Sequence, residues 1–190
     1  MLIPKNHFAL SVEQYRRRVK AGRYAVTWPK NLALVEIPAT IENYKPLVEK
    51  LGTKWHWDKQ PRYNGHSLEE KLSHPKAALF ILQDNGLPVG YAFVGAPSDD
   101  LKKRFWGNAN ARVIEIENLG LFPGQEGGGR GKKYFEMLFA KYFDNYDIVY
   151  WSQHETHSPT LKRFYRDKIG MKLLATDRVP DFRPQKAEVA

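Results

Sequence analysis

The sequence predicts a single-domain, mixed α/β layered fold with antiparallel strands early and a βαβ unit later. Three observations carry this reading. A chain of 190 residues supplies one sizeable core and is short for two. The β-rich runs "AALFILQ" and "PVGYAFVGA" are joined through "DNGL", and Asn85-Gly86 is the strongest short turn signal in the chain. Finally, a strand-like run ("RVIEIENLGLF") leads through clustered glycines, four among the five residues from Gly127 to Gly131, into a helix-like run from about Lys132 to Phe143.

The remaining elements follow in order. Ser11 to Lys20 reads as a short basic helix with Ser11 as N-cap and Gly22 as its stop. "LALVEIPA" (Leu32 to Ala39) reads as a strand. Thr40 then caps an amphipathic helix, "IENYKPLVEKLG", ended by Gly52, with Pro46 as a kink risk. Ser67 opens a second short helix, "LEEKLSH", closed by Pro75. After the hairpin, "PSDDLKKRFWGNANA" reads as a polar loop. "DIVYWSQ" is a strand, Ser158-Pro159 a helix start with proline at the first helical position, and "GMKLLATDRV" the last strand. Neither internal repeats nor low-complexity linkers are visible. Residues 1–31 read as an N-terminal extension and 32–190 as the domain.

Composition bounds the function. Hydrophobic content of 42% with 13% aromatics is globular. With no cysteine, disulfides, thiolate metal sites and cysteine nucleophiles are excluded. No segment approaches the roughly 18 apolar residues of a membrane span, and the first residues lack a signal-like apolar run. A soluble, cytoplasmic protein is the expectation. The net charge of +9 points to an anionic partner: a nucleic acid, an acidic substrate or a phosphorylated coenzyme. Much of that charge is local, in "RRRVKAGR" and "GGGRGKK", and a solvated helix face is the plainer reading of the first cluster.

The glycine cluster fits neither of two standard phosphate-loop templates. A Walker A loop requires G-x-x-x-x-G-K-[ST]; its first glycine slot would be Glu126 and its Ser/Thr slot Lys133, so it fails twice. The dinucleotide pattern G-x-G-x-x-G fails because its last slot is Lys132 or Tyr134. A flexible loop remains an alternative. Backbone N–H groups followed by a helix dipole, with Arg130, Lys132 and Lys133 beside them, make an anion cradle with or without a named motif.

"LGLFPGQEGGGRG" followed by a helix resembles motif A of the GNAT superfamily of acetyl-CoA-dependent N-acyltransferases. In that family a strand ending hydrophobic-Gly-hydrophobic-x-Pro leads into an [RQ]-x-x-G-x-[GA] loop. Gly129 and Gly131 fill the two small-residue slots, while Glu126 stands in the Arg/Gln slot, from which it turns outward or yields the role to Gln125. The Asn85-Gly86 hairpin is similar to the family's second and third strands. "SPTLKRFYRDKIGM" is similar to its motif B, with Gly170-Met171 one residue later than usual after Phe164-Tyr165. The resemblance spans about Leu32 to Val179. It implies a mostly antiparallel central sheet flanked by helices on both faces.

It also implies a site. Acetyl-CoA would be the acyl donor, held by Leu119, Gly120, Leu121, Gln125, Glu126, Gly127, Gly128, Gly129, Arg130, Gly131, Lys132 and Ser158. The pyrophosphate would lie on the backbone N–H groups of residues 127 to 132 and the pantetheine arm along Leu119 and Leu121. For the base, Glu115, Glu117 and Leu119 share a face in a regular strand. Glu115 lies four residues before Leu119, where some family members place a catalytic glutamate; a bulge in this strand would change which carboxylate faces the cleft. A solvated or ion-paired role is the alternative for both. Tyr165 corresponds to the family's general acid, with a core tyrosine as the alternative. His154 and His157 are further candidates for base or substrate contact, and no motif completes a metal site around them. Trp55, Trp57, Tyr63 and Trp106 would line an acceptor groove or cap the core. The expected activity is acetyl transfer to a primary amine of a small molecule or peptide by direct attack. The alternatives are a basic nucleic-acid-binding module and an acyl-CoA binder without turnover; a homodimer is compatible with either.

Overall fold

The computed structural model describes residues 2–25, 27–52, 67–154 and 159–180. Their elements are β1 (Leu2–Ser11), α1 (Val12–Lys20), β2 (Leu32–Ile37), α2 (Ile41–Gly52), α3 (Leu68–Leu72), β3 (Ala78–Asp84), β4 (Leu87–Gly95), α4 (Asp99–Trp106), β5 (Val113–Leu121), α5 (Arg130–Tyr142), β6 (Ile148–His154), α6 (Pro159–Arg163) continuing as a π-helix (Phe164–Ile169), and β7 (Lys172–Pro180). The strands form one seven-stranded sheet in the order β2-β3-β4-β5-β6-β1-β7. Only β5 and β6 pair in parallel, as the βαβ unit through α5 requires. Every other neighbouring pair is antiparallel.

Local chemistry accounts for the helix starts. Ser11 and Ser67 each close a capping box, with Gln14 and Glu70 returning the bond to the cap backbone. Two segments differ from the sequence expectation. The polar loop after β4 contains α4, capped by Ser98, acidic at Asp99 and Asp100, and stopped by left-handed Gly107. Those start and stop signals are all present in "SDDLKKRFWG"; the short apolar content masked them. The segment read as an N-terminal extension supplies β1, which lies inside the sheet between β6 and β7. Its register runs from Lys5 opposite His154 to Ser11 opposite Ile148 on one side, and from Leu2 opposite Pro180 to Ala9 opposite Lys172 on the other.

Two cores sandwich the sheet. The larger packs Tyr134, Phe135, Leu138 and Phe139 of α5, with Tyr165 and Ile169 of the π-helix, onto Phe8, Phe80, Ile114, Ile116, Val149 and Trp151. Fully burying side chains of this size stabilises by about 1.5–3 kcal/mol each. The smaller packs Tyr44, Val48 and Leu51 of α2 and Leu72 of α3 onto Leu79, Tyr91 and Phe93. The apolar cluster on that second face lies under β3 and β4. Across β5, β6, β1 and β7 it carries Glu115, Tyr150, His7 and Asp177 instead.

The π-helix resolves the register of "FYRDKIGM". Gly170 N–H and Met171 N–H both reach back to the Tyr165 carbonyl. The helix thus ends in a wide π turn closed on one carbonyl before the Gly170-Met171 step.

Close strand approach depends on Gly90. A Cβ there would run into the Gly120 carbonyl oxygen and lie 3.0 Å from Leu121 Cα, both backbone atoms that cannot rotate away. Gly90→Ala should therefore cost about 3 kcal/mol, measured as a lower urea midpoint; a loss below about 0.5 kcal/mol would contradict this packing.

Candidate functional site

The site begins where two strands part. β5 and β6 pair at only four positions, Val113 with Ile148 through Ile116 with Trp151. Beyond them β5 stays with β4 as far as Leu121 opposite Gly90, while β6 stays with β1 as far as His154 opposite Lys5. Among the described residues no strand pairs with the edge of β5 facing β6 over residues 117–121, and such an edge suits an extended ligand that can satisfy backbone groups.

A bulge in β5 sets which side chains meet that opening. Phe93 opposes Asn118 but Val94 opposes Ile116, so Glu117 is the extra residue. Glu115 and Glu117 do share a face, as period two predicts. Leu119 does not join them: it lies in the larger core with Ile114 and Ile116. On the other side Asn118 donates to the Tyr44 hydroxyl at 2.7 Å. Leu51 occupies the space a side chain at Gly120 would need. Gly120, expected among the coenzyme contacts, is thus explained by α2 packing, and Leu121 is half-buried against the larger core.

The glycine loop leads from this strand to α5. Gly127, Gly128 and Gly129 all have positive φ, with Gly129 the left-handed N-cap of α5 and no side chain to cap it. No atom lies within 4 Å of where a Cβ would stand at Gly127, Gly128, Gly129 or Gly131. The loop backbone can thus be approached closely from the side a side chain would occupy, a geometry that suits an anion at the helix start, although Arg130 N–H is already held by the Gly127 carbonyl at 3.2 Å. The side chains beside them are committed elsewhere. Arg130, expected at the coenzyme, ion-pairs with Asp84 at 2.8 Å and donates to the Gln125 carbonyl at 3.3 Å. Lys132 bonds Glu136 and the Arg23 carbonyl. Glu126 is exposed and accepts from Gly124 N–H at 2.8 Å, so its carboxylate is tied to the loop's own turn. Of the three cations beside the cradle, Arg130 and Lys132 are thus engaged by other groups.

On the polar face the two carboxylates have different partners. Glu117 forms a buried ion pair with Lys71 of α3, their side chains 4% and 7% exposed. Glu115 is 2% exposed, and its Oε2 has no hydrogen-bond partner among the described residues. Burial and the neighbouring Glu117 carboxylate push its carboxyl up to about 7, against the pull of Lys71 and Lys5. Burial lowers Lys5 in turn. Two strands, β5 and β1, and the helix α3 thus assemble a charged cluster of which the sequence reading found only the glutamates. Lys5 lies in the segment read as an extension, and nothing local in "LEEKLSH" marks Lys71 as buried.

The other face of the opening carries further unpartnered groups. Trp151 Nε1, both amide atoms of Gln153 and Asn6 Nδ2 are buried without hydrogen bonds among the described residues. Tyr165, the expected acid, packs its ring against Trp151, Phe135 and Phe8 on this same face, and burial raises its hydroxyl well above the ordinary tyrosine range. Glu115 and Tyr165 thus lie on opposite faces of the sheet. Trp106 closes α4 against Tyr150 and Phe105. His154 is the last residue of β6. Ser158, His157, Trp55, Trp57 and Tyr63 lie outside the described residues. Among the described residues no cluster of three metal-ligating side chains occurs, and no helix is long and apolar enough to cross a membrane.

Comparison with solved structures decides the architecture. A GCN5-related N-acetyltransferase from Kribbella flavida superposes with a TM-score of 0.52 over 93% of this chain and 57% of its own, at 14% identity. The chain has the GCN5-related N-acetyltransferase (GNAT) fold. An aminoglycoside acetyltransferase from an uncultured soil metagenomic sample, solved in complex with sisomicin, shares that fold: TM-score 0.53, 14% identity, covering 82% of this chain and 97% of its own. An aminoglycoside N-acetyltransferase in complex with CoA scores 0.50 at 17% identity, over 85% of this chain and all of its own. The chain spans about three fifths of the length of several GNAT-fold neighbours, including those from Kribbella flavida and Novosphingobium aromaticivorans. No protein-family model matches the sequence, and no curated protein matches it significantly.

Two stability measurements test the charged cluster of this GNAT fold. Lys71→Met strands a buried carboxylate and should cost about 3–5 kcal/mol, whereas adding Glu117→Leu should recover most of that loss; a denaturation double-mutant cycle reads both. Glu115 has a folded-state value above its unfolded one, so the native state holds the extra proton. Stability should then fall as pH rises from about 4.5 to 7, by on the order of 3 kcal/mol. Glu115→Gln should flatten that part of the profile, and an unchanged slope would count against the assigned shift.

Proposed function

We propose that this chain is an N-acetyltransferase that transfers the acetyl group of acetyl-CoA to a primary amine by direct attack. The observation that carries the proposal is the alignment of two features. The unpaired edge of β5 at residues 117–121 leads, through the turn at residues 122–126, to the glycine cradle at Gly127 to Gly131, where a Cβ at any of the four glycines would meet nothing. A ligand suited to both has an extended, amide-bearing arm and a pyrophosphate, the chemistry of coenzyme A.

Each part of the site has a task in this reading. The amides opening α5 take the pyrophosphate, helped by the helix dipole and by a loop that holds its own carboxylate, Glu126, on Gly124. The open edge of β5 and the unpartnered Gln153 amide offer donors and acceptors to the pantetheine arm. Backbone N–H groups at the strand end polarise the thioester carbonyl, an effect typically worth a hundredfold or more per donor. Glu115, with a proton affinity poised near neutrality, takes the proton of the attacking amine directly or through one water. Glu117 is less suited, since its charge is committed to Lys71. The buried Tyr165 hydroxyl would deliver a proton to the departing thiolate from the opposite face. The acceptor is an amine of a small molecule or peptide.

Calorimetry with acetyl-CoA is the direct test, with micromolar binding expected. Gly131→Ala is sterically free in the unliganded protein and should leave unfolding unchanged or slightly improved. The same variant should weaken coenzyme binding tenfold or more, on the order of 1.4 kcal/mol; equal affinity would remove the cradle. Glu115→Gln should lower kcat by about a hundredfold or more at unchanged coenzyme affinity, read with a panel of amines and a thiol-release assay.

A further inference from the structure

The turn between β3 and β4 does more than reverse the chain. Asn85 and Gly86, both at positive φ, make the turn itself. The residue before them, Asp84, turns its carboxylate to three other groups. Its Oδ1 accepts from Asn31 Nδ2 and, at 3.1 Å, from Asn85 Nδ2. Its Oδ2 accepts from Arg130 Nε at 2.8 Å. The Asn31 carbonyl in turn takes the Asn85 N–H at 2.7 Å. Only 11% of the Asp84 side chain is exposed, so these are not the bonds of a loose surface pair. The lead-in to β2, the β3–β4 turn and the first residue of α5 therefore meet on one carboxylate.

Arg130 carries that anchor into the glycine loop. Its backbone N–H bonds the Gly127 carbonyl at 3.2 Å, and its Nη1 donates to the Gln125 carbonyl at 3.3 Å. One residue thus closes the loop twice, by main chain and by guanidinium, and Asp84 fixes the guanidinium from outside. The residues enclosed include Gly127, Gly128 and Gly129, all at positive φ. Glycine loses more backbone freedom on ordering than any other residue, so this run is the part of the cradle least able to hold its own shape. A loop that is ordered beforehand spares the binding step that cost. The helix itself does not depend on the same contact. One turn further along α5, the buried Tyr134 donates its hydroxyl proton to the Gln83 carbonyl at 2.6 Å. Tyr134 moors the helix; Asp84 moors the loop.

We propose that Asp84 is a positioning residue for the phosphate cradle: it clamps Arg130 so that the loop from Gln125 to Arg130 is shaped before any ligand enters. Arg130 then serves the loop and does not itself grip phosphate, since Asp84 holds its Nε and Gln125 its Nη1. The proposal rests on the acetyl-CoA reading for its purpose, yet its first test needs no coenzyme.

Nitrogen-15 relaxation of the free protein reads the loop directly. Amide order parameters at Gly127 to Gly129 should be about 0.85 in the parent and fall to about 0.6 in Asp84→Ala. Asp84→Asn keeps a neutral acceptor for Arg130 and should recover part of that loss. In an Arg130→Ala background the clamp is already open, so Asp84→Ala should add nothing further. A parent loop that is already flexible, an Asp84→Ala loop as rigid as the parent, or additive losses in the double variant overturn the proposal. If Asp84→Ala does not fold, Arg130→Ala opens the same clamp from the other side and should loosen the same three glycines; an unmoved loop there is equally fatal. Calorimetry then compares acetyl-CoA with acetyl-pantetheine, which lacks the pyrophosphate. Restoring the freedom of about one backbone residue costs about tenfold in affinity. Asp84→Ala should therefore weaken acetyl-CoA about tenfold and leave acetyl-pantetheine unchanged. Equal weakening of both, no weakening of either, or tighter acetyl-CoA binding by a freed Arg130 would each overturn it. A parent that binds no acetyl-CoA, with a loop that still loosens in Asp84→Ala, would sink the coenzyme reading and leave the clamp standing.

Discussion

The parting of β5 from β6 is the constraint on which the rest of the site depends. A parallel pair that continued past Ile116 and Trp151 would close the sheet and leave no edge to receive an extended ligand. Two features on either side keep it open. The bulge at Glu117 adds a residue to β5 and increases its local twist, while β4 holds that strand through Leu121. β1 holds β6 through His154 from the opposite direction. The parting is therefore held by strand pairing on either side of it.

The bulge also divides labour among side chains. By taking two consecutive residues, Glu117 and Asn118, onto one face, it lets Asn118 anchor α2 through Tyr44 and lets Glu117 anchor α3 through Lys71. Among the described residues Glu115 is left with one oxygen without a hydrogen-bond partner. A buried carboxylate without a close partner is costly, and such costs concentrate where a protein does chemistry. The contrast between two glutamates two residues apart arises from what packs against them, since their chemistry is identical.

Much of the fold was legible in the sequence because its signals are local. The Asn85-Gly86 turn, the Ser11 and Ser67 caps and the glycine cluster each specify geometry within a few residues. What was illegible is non-local. "LIPKNHFALS" has no neighbours in the sequence to reveal that it pairs with strands some 140 to 170 residues away, a separation visible in the His7–Tyr150 and Asn6–Thr176 contacts. Treating it as an extension hid Lys5 and His7, and with them the polar face. The period-two rule failed at Leu119 for a related reason: a bulge is a property of the strand pair, and one strand's sequence does not announce it. Arg130 and Lys132 looked available for an anion because their partners, Asp84 and the Arg23 carbonyl, come from distant segments.

The interior position of β1 has a consequence for how the chain reaches this state. β1 precedes every other element, yet its two sheet neighbours are among the last strands to be made. During synthesis its backbone groups wait unpaired until β6 and β7 emerge, and the two-layer cores cannot close fully before then. Loop closure over so long a separation is slow, and strands left waiting in that interval invite pairing with other chains. The apolar stretch at Phe8 to Leu10, wholly buried at the end, is the segment exposed for longest on the way. Yield and aggregation of this protein should thus be governed by its first dozen residues more than by the site they help to build.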